Sequence, residues 1–201
     1  MKRTGSHLRV AYTLIELLVV IAIAASLMVI MVPSLRGMMD SGNLSRAGQL
    51  VGDQINLARQ IAASSNSTVE VRFVNLPKYS ASGYSAVQIW GINRSGAMGA
   101  LRALAVLPLG TVVSDNTSVS PAFLQSFAEP LTTGSMSIQG GSAQYASFQI
   151  RPAGIILPAI TMKNFCFTVI PSRAASSGTL PSNYATIQVN PLTAAAFAYR
   201  P

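Results

Sequence analysis

Few residues of this chain have side chains suited to acid–base, nucleophilic or metal chemistry, and their spacing does not group them. Apart from one glutamate inside an apolar segment, the acids are scattered: Asp40, Asp53, Glu70, Asp115 and Glu129. Metal ligation and general acid–base catalysis need such groups close together. The only cysteine, Cys166, has no histidine partner within its region, because the only histidine is His7. We therefore expect no enzyme, no metal site and no cofactor.

Glu16 is the exceptional acid, because it is the only charged residue of a long apolar segment. Residues 12–32 are otherwise rich in Leu, Val, Ile, Ala and Met, and about twenty such residues suffice for a helix to cross a bilayer. We predict a transmembrane helix over 12–34, with the preceding basic residues held in the cytoplasm. A carboxylate in such a helix is costly unless it has a partner. Glu16 therefore reaches the headgroups, is protonated, or pairs with a positive charge on another chain.

The start of this segment, Ala11-Tyr-Thr-Leu-Ile-Glu16 followed by Leu-Leu-Val-Val-Ile, resembles the class III leader of type IV pilins and pseudopilins. The resemblance implies that residues 1–11 are a leader, which a prepilin peptidase removes by cutting between Ala11 and Tyr12. It also implies methylation of the new amino group of Tyr12. Glu16 stands at the family's glutamate, which implies pairing with the amine of a neighbouring subunit during assembly. The chain has alanine where the family usually has glycine before the cut, and tyrosine where it usually has phenylalanine after it.

The same resemblance implies the partners and the location of the chain. The partners would be the peptidase, other pilin or pseudopilin subunits in a homo- or hetero-filament, and the inner (cytoplasmic) membrane. The chain would cross that membrane once, with its head domain in the periplasm, and would be extracted into a filament or to the cell surface.

Net charge provides an alternative interpretation. The chain has 14 basic and 6 acidic residues, a formal charge of +8, and basic chains can bind nucleic acid. The basic residues form no run along the sequence. Arg151, Arg173 and Arg200, all in the C-terminal part, nevertheless leave a minor pilin that binds DNA or another ligand as the alternative function.

The apolar helix is predicted to continue as an amphipathic half over residues 35–65. Its apolar residues recur at steps of three and four, the period of one helix face: Ala47, Leu50, Val51, Ile55, Ala58, Ile61 and Ala62. Such a face is suited to lie on a sheet. At the join, Pro33, Gly37 and Gly42 weaken the helix and predict a kink.

Residues 66–201 predict a β-rich head domain, and with the helix an α+β pilin fold. Alternation or β-branched composition predicts strands at 68–74, 86–90, 147–150, 165–170 and 185–189, with 195–199 folding back as a hairpin. Residues 101–109 and 111–113 predict another strand, which is broken at Pro108. Residues 114–141 are rich in Ser, Thr, Pro and Gly and predict a loop with one short helix near 121–127.

Three pieces of the chain resemble minor pseudopilins of the GspH and FimT type: 58–63, Phe148-Gln-Ile-Arg-Pro-Ala-Gly154 and 185–193. That family usually has glycine after the last threonine, where this chain has Ala194. The ending Ala198-Tyr-Arg-Pro201, together with Pro181-Ser-Asn-Tyr-Ala-Thr186, also resembles the Verru_Chthon cassette D proteins. These resemblances imply a structural subunit that is processed by the peptidase and assembled through its N-terminal helix into a type IV pilus or a type II secretion pseudopilus.

Overall fold

The computed structural model describes residues 12–93, 95–123, 131–138, 141–157 and 165–200, and for 30–38 it describes the backbone alone. The chain divides into two compact units, Met1–Met39 and Asp40–Pro201.

One long α-helix, α1 (Leu14–Ser65), begins in the first unit and ends in the second. It is continuous through Pro33, Gly37 and Gly42, so the kink at these residues stays a prediction. Asn66 ends the helix with a positive φ of 47°, a conformation that asparagine adopts more readily than most residues.

The membrane-spanning prediction for residues 12–34 is not supported. In the described part of the chain, no helix combines the length and the mean hydropathy that crossing a bilayer requires.

The second unit contains two antiparallel sheets, so the predicted α+β class is confirmed. The strands are β1 (Val69–Val74), β2 (Ala86–Ile92), β3 (Met98–Ala100), β4 (Ala105–Val106), β5 (Thr111–Val113), β6 (Thr132–Ile138), β7 (Gly141–Ile150), β8 (Ile156–Leu157), β9 (Cys166–Pro171), β10 (Ala185–Val189) and β11 (Ala196–Tyr199). The larger sheet has the order β3-β2-β1-β7-β6, with β4 also paired to β2 and β8 to β7. The smaller sheet has the order β11-β10-β9-β5.

The C-terminal half of α1 supplies the core of this unit. Its fully buried apolar residues recur at helical spacing, and they are Leu44, Ala47, Val51, Ile55, Ala58 and Ala62. Five of them belong to the predicted stripe and Leu44 does not, whereas Leu50 and Ile61 of that stripe are only partly buried. The fully buried residues share one apolar core with residues of both sheets, among them Val71, Phe73, Ile89, Phe148, Phe167 and Ile187. Burial of each large side chain stabilises the fold by roughly 1.5–3 kcal/mol, so this stripe holds the two sheets on the helix.

The predicted loop over 114–141 is wrong in its last third. Residues Thr132–Ile138 form β6, and β7 begins at Gly141. Of the predicted short helix, Pro121–Phe123 forms one 3-10 turn, and 124–127 lie outside the described residues. The predicted strand over 101–109 is reduced to Ala105–Val106. The sequence signal for β6 is weak because apolar and polar residues alternate only over its last four residues, Ser135-Met-Ser-Ile138, within a stretch rich in Ser and Thr.

The C-terminal hairpin predicted from the sequence is present. β10 and β11 pair from Thr186 with Tyr199 to Val189 with Ala196. Ala194 occupies the turn with a φ of 50°, the left-handed conformation in which the resembling family has glycine. Its methyl group is buried in the core, which offsets part of the cost of that conformation.

Two sequence pieces that carry the resemblance meet in space at Gly154. This glycine has a φ of +83°, and a Cβ atom there would lie 2.9 Å from the carbonyl oxygen of Thr193. Next to it, the amide of Ile156 donates to the carbonyl of Pro191 at 3.0 Å. The turn after β7 and the turn after β10 therefore pack closely because residue 154 has no side chain.

Gly154→Ala should destabilise the chain by more than about 2 kcal/mol, because it adds a steric clash to the left-handed cost of roughly 1–2 kcal/mol. Gly110→Ala is the matched control, since Gly110 has a φ of +81° and nothing within 4 Å of an added Cβ. Denaturant unfolding followed by circular dichroism measures both. Equal losses in the two variants would contradict the close packing at residue 154.

Candidate functional site

The first turn of α1 contains a capping box formed by Thr13 and Glu16. The backbone N–H and the hydroxyl of Thr13 both donate to Oε2 of Glu16 at 2.8 Å. In return, the amide of Glu16 donates to the hydroxyl of Thr13 at 3.3 Å. Threonine and glutamate three residues apart satisfy backbone donors that the start of a helix otherwise leaves unpaired. The pattern Thr-x-x-Glu is visible in the sequence, but sequence reasoning assigned no role to Thr13.

The two oxygens of the Glu16 carboxylate differ in their hydrogen bonding. Both hydrogen bonds from Thr13 end on Oε2, and in the described part of the chain Oε1 accepts none. The backbone N–H of Thr13, and then its hydroxyl, lower the pKa of Glu16 from its ordinary value. These hydrogen bonds orient the carboxylate and favour its ionised form, and they leave one oxygen available to another donor.

The apolar side chains around and after Glu16 are exposed. Tyr12, two residues before the helix begins, is 84% exposed, and even the least exposed large apolar residue of this stretch, Val19, is 49% exposed. The others are Leu14, Ile15, Leu17, Leu18, Val20, Ile21, Ile23, Leu27, Met28 and Val29. Exposed apolar surface of this extent marks a site of interaction.

The structure describes only some of the predicted processing and assembly residues. Ala11 lies outside the described residues, whereas Tyr12 and Glu16 lie within one turn of each other at the start of α1. Pro33 and Gly37 lie within the helix. Gly42 has nothing within 4 Å of an added Cβ, so packing does not require glycine there.

A second cluster lies on β1 and its neighbours, on the face opposite the core residues Val71 and Phe73. Arg72 forms a bidentate ion pair with Glu70, with Nε–Oε1 and Nη2–Oε2 distances of 2.9 Å. The two side chains are 12% and 8% exposed, so solvent screens the pair little. Sequence reasoning did not single out this pair, although acid and base two residues apart on a strand share one face.

Aromatic rings enclose the guanidinium group of Arg72. Its Cζ lies 3.9 Å from the ring centroid of Trp90 and 4.3 Å from that of Tyr145. The Tyr145 ring in turn lies over Gly134, where an added Cβ would meet the phenol oxygen at 2.7 Å. Trp90 donates its indole N–H to Gln88 at 2.9 Å. The cluster therefore uses Trp90 for cation–π packing across the sheet.

Two of the basic residues considered for DNA binding are engaged within the second unit. Arg173 forms an ion pair with Asp40 at 2.8 Å. Arg200 donates to the carbonyl and hydroxyl of Ser41, to Ser45 and to Asn183. These contacts attach the segments that hold Arg173 and Arg200 to α1, whereas Arg151 is exposed. The DNA-binding alternative stays a prediction.

The remaining chemistry-bearing residues form no site in the described part of the chain. No group of three or more His, Cys, Asp and Glu residues there could hold a metal ion. Burial raises the pKa of the Cys166 thiol, which keeps it a poor nucleophile. His7 lies outside the described residues.

Comparisons with known proteins give one structural similarity. No protein-family model matches the chain, and no curated protein matches it. The structure is similar to that of the minor pseudopilin EpsH from the type 2 secretion system of Vibrio cholerae, with 8% sequence identity and a TM-score of 0.44. The similarity covers 79% of this chain and 96% of that one. At this identity and TM-score it carries no argument about function.

Arg72→Lys should destabilise the chain by about 1–3 kcal/mol, because an ammonium group cannot form the bidentate pair or stack between two rings. It should also change the fluorescence of Trp90, the only tryptophan. The control is Arg102→Lys, at an exposed position outside the cluster. Thermal unfolding and emission spectra measure both effects. If Arg72→Lys lowered the stability no more than Arg102→Lys does, the cluster would not stabilise the sheet.

Proposed function

We propose that this chain is a pilin-like structural subunit that assembles with other subunits through the N-terminal part of α1. The observation that carries the proposal is the combination in residues 12–29 of exposed apolar side chains with one oriented carboxylate. The second unit buries an apolar core of its own. A continuous apolar helix surface in water is unfavourable, so contact with like helices of other subunits would remove it from water.

The start of α1 also supports the proposed processing. A prepilin peptidase would cut between Ala11 and Tyr12, and the new amine of Tyr12 would be methylated. The cut would leave the peptide bond between Tyr12 and Thr13 intact. The backbone N–H of Thr13 would therefore still hold Glu16, and the mature chain would begin with a helix that is already capped.

Oε1 of Glu16, which accepts no hydrogen bond in the described part of the chain, gives the proposed assembly a specific contact. The amine of Tyr12 on a neighbouring subunit would donate to Oε1 while Thr13 keeps Oε2. An amine and a carboxylate that are buried among apolar helices are each costly alone, and pairing offsets much of that cost. Apolar packing supplies attraction along the helices, and the ion pair sets their register. The partners are thus the peptidase and other pilin-like subunits, with the second unit displayed outside the cytoplasm.

Mass spectrometry of the N-terminus of the chain produced in its native host tests the processing step. We expect a mature chain that begins at Tyr12 and carries one added methyl group on its amine. A chain that retains Met1, or that begins after Ser26, would contradict the proposal.

Two substitutions separate the assembly role of Glu16 from its capping role. Glu16→Gln keeps the capping box, since glutamine serves at this position, but removes the charge. We expect incorporation into sheared, sedimented filaments to fall at least about tenfold, which corresponds to about 1.4 kcal/mol.

Thr13→Val is the matched control, because it removes the capping hydroxyl and keeps the carboxylate. It should cost about 1 kcal/mol of helix stability and reduce incorporation less than Glu16→Gln does. Normal incorporation of the Glu16→Gln chain would overturn the charge-pairing role. Equal loss in the two variants would show that the capped start of the helix matters as much to assembly as the charge of Glu16.

A further inference from the structure

The sheet edges of the second unit differ in how they are closed. On one edge of the larger sheet, β3 and β4 have only three and two residues. On the smaller sheet, Val113 of β5 exchanges both backbone hydrogen bonds with Tyr84. At the other edge of that sheet, Asn56 of α1 donates to the carbonyl of Ala196 and accepts from its amide, both at 3.0 Å. Short strands and covered backbone groups are the usual protections against pairing with another chain.

The edge formed by β6 lacks these protections. This strand has seven residues, contains neither a charge nor proline, and pairs with β7 residue by residue from Thr132 with Ser147 to Ile138 with Gly141, without a bulge. In the described part of the chain no strand pairs with its other side. Charged residues, proline and bulges are what usually prevents such an edge from accepting a strand.

The pairing with β7 determines which backbone groups of β6 face outward. Gln144 of β7 accepts from the amide of Asn75 at 2.8 Å, so its backbone groups point away from β6. Its partner on β6 is Ser135. Because successive residues of an antiparallel strand alternate in direction, Thr133, Ser135 and Ser137 all present their N–H and C=O groups outward.

We propose that β6 is a self-association edge, which pairs antiparallel with β6 of a second copy of this chain about a two-fold axis at Ser135. In this register Ser135 lies opposite the partner's Ser135, and Thr133 opposite the partner's Ser137. All three outward residues then exchange both backbone hydrogen bonds with the partner, and the larger sheet continues into the second copy.

The side chains fit this register. The strand is uncharged, so no like charges face each other across the axis, and facing Thr and Ser side chains can hydrogen-bond. Gly134, whose side-chain space is filled by the ring of Tyr145, lies opposite the partner's Met136. A two-fold contact of this kind is closed, because the same strand serves both copies. It uses none of residues 12–29 and is independent of the proposed assembly helix.

Disulfide trapping in the full chain tests the register. A Cys166→Ser background removes the native thiol, and a mild detergent covers the apolar residues 14–29. Ser135→Cys should form a disulfide-linked dimer on oxidation with diamide, because facing residues in a hydrogen-bonded pair have Cα atoms about 5.5 Å apart, within the range that a disulfide spans.

Ser137→Cys is the matched control, since residue 137 lies about 13 Å along the strands from the partner's residue 137. It should give at least about tenfold less dimer than Ser135→Cys. A mixture of Thr133→Cys and Ser137→Cys chains should restore the cross-link as a mixed dimer. Unchanged thermal unfolding of the reduced variants controls for folding. Equal trapping at 135 and 137, or no trapping at 135, would overturn the proposed pairing.

Discussion

Burial of one helical stripe, from Leu44 to Ala62, is the interaction on which the rest of the second unit depends. The stripe lies in the same apolar core as side chains from both sheets. In the described part of the chain no strand of one sheet pairs with a strand of the other, and the only backbone bridge near them joins Tyr84 to Val113. One helix face therefore holds the two sheets together, with the phenylalanine rings between them. Phe73 and Phe167, whose ring centroids are 4.5 Å apart, belong one to each sheet and fix their separation at the centre of the core.

The same helix begins under a different constraint. Its first residues expose apolar side chains, and the contact of this apolar surface with water is unfavourable in free energy. The backbone N–H groups of Thr13 and Glu16 at its start are nevertheless hydrogen-bonded, because the side chains of these two residues accept from them. A helix with a capped start and an uncovered apolar surface suits association between chains. This division between a buried half and an exposed half underlies the proposed function.

Polar side chains cover one sheet face and satisfy the backbone groups of one edge strand in the second unit. Arg72, fixed by Glu70 and two rings, covers the middle of the outer face of the larger sheet, and Asn56 satisfies the backbone of the edge strand β11. Arg200 fixes the end of the chain against α1. These contacts leave β6 as the edge whose outward groups find no described partner, and that contrast motivates the self-pairing we propose.

The sequence by itself determined the helix, the burial of the stripe in its second half, most strands of the second unit and the α+β class, because these follow from local periodicity. It also contained the capping box, since Thr13 and Glu16 are three residues apart. Only the tertiary structure decided that Trp90 and Tyr145 enclose Arg72, that Gly154 lies against Thr193 and that Asn56 covers Ala196. Each of these contacts joins residues far apart in the chain, and it depends on which strands are neighbours and in which register they pair. The strand β6 belongs to the second group, because Met136 and Ile138 are its only large apolar residues and give a weak local signal, whereas its pairing with β7 establishes the strand.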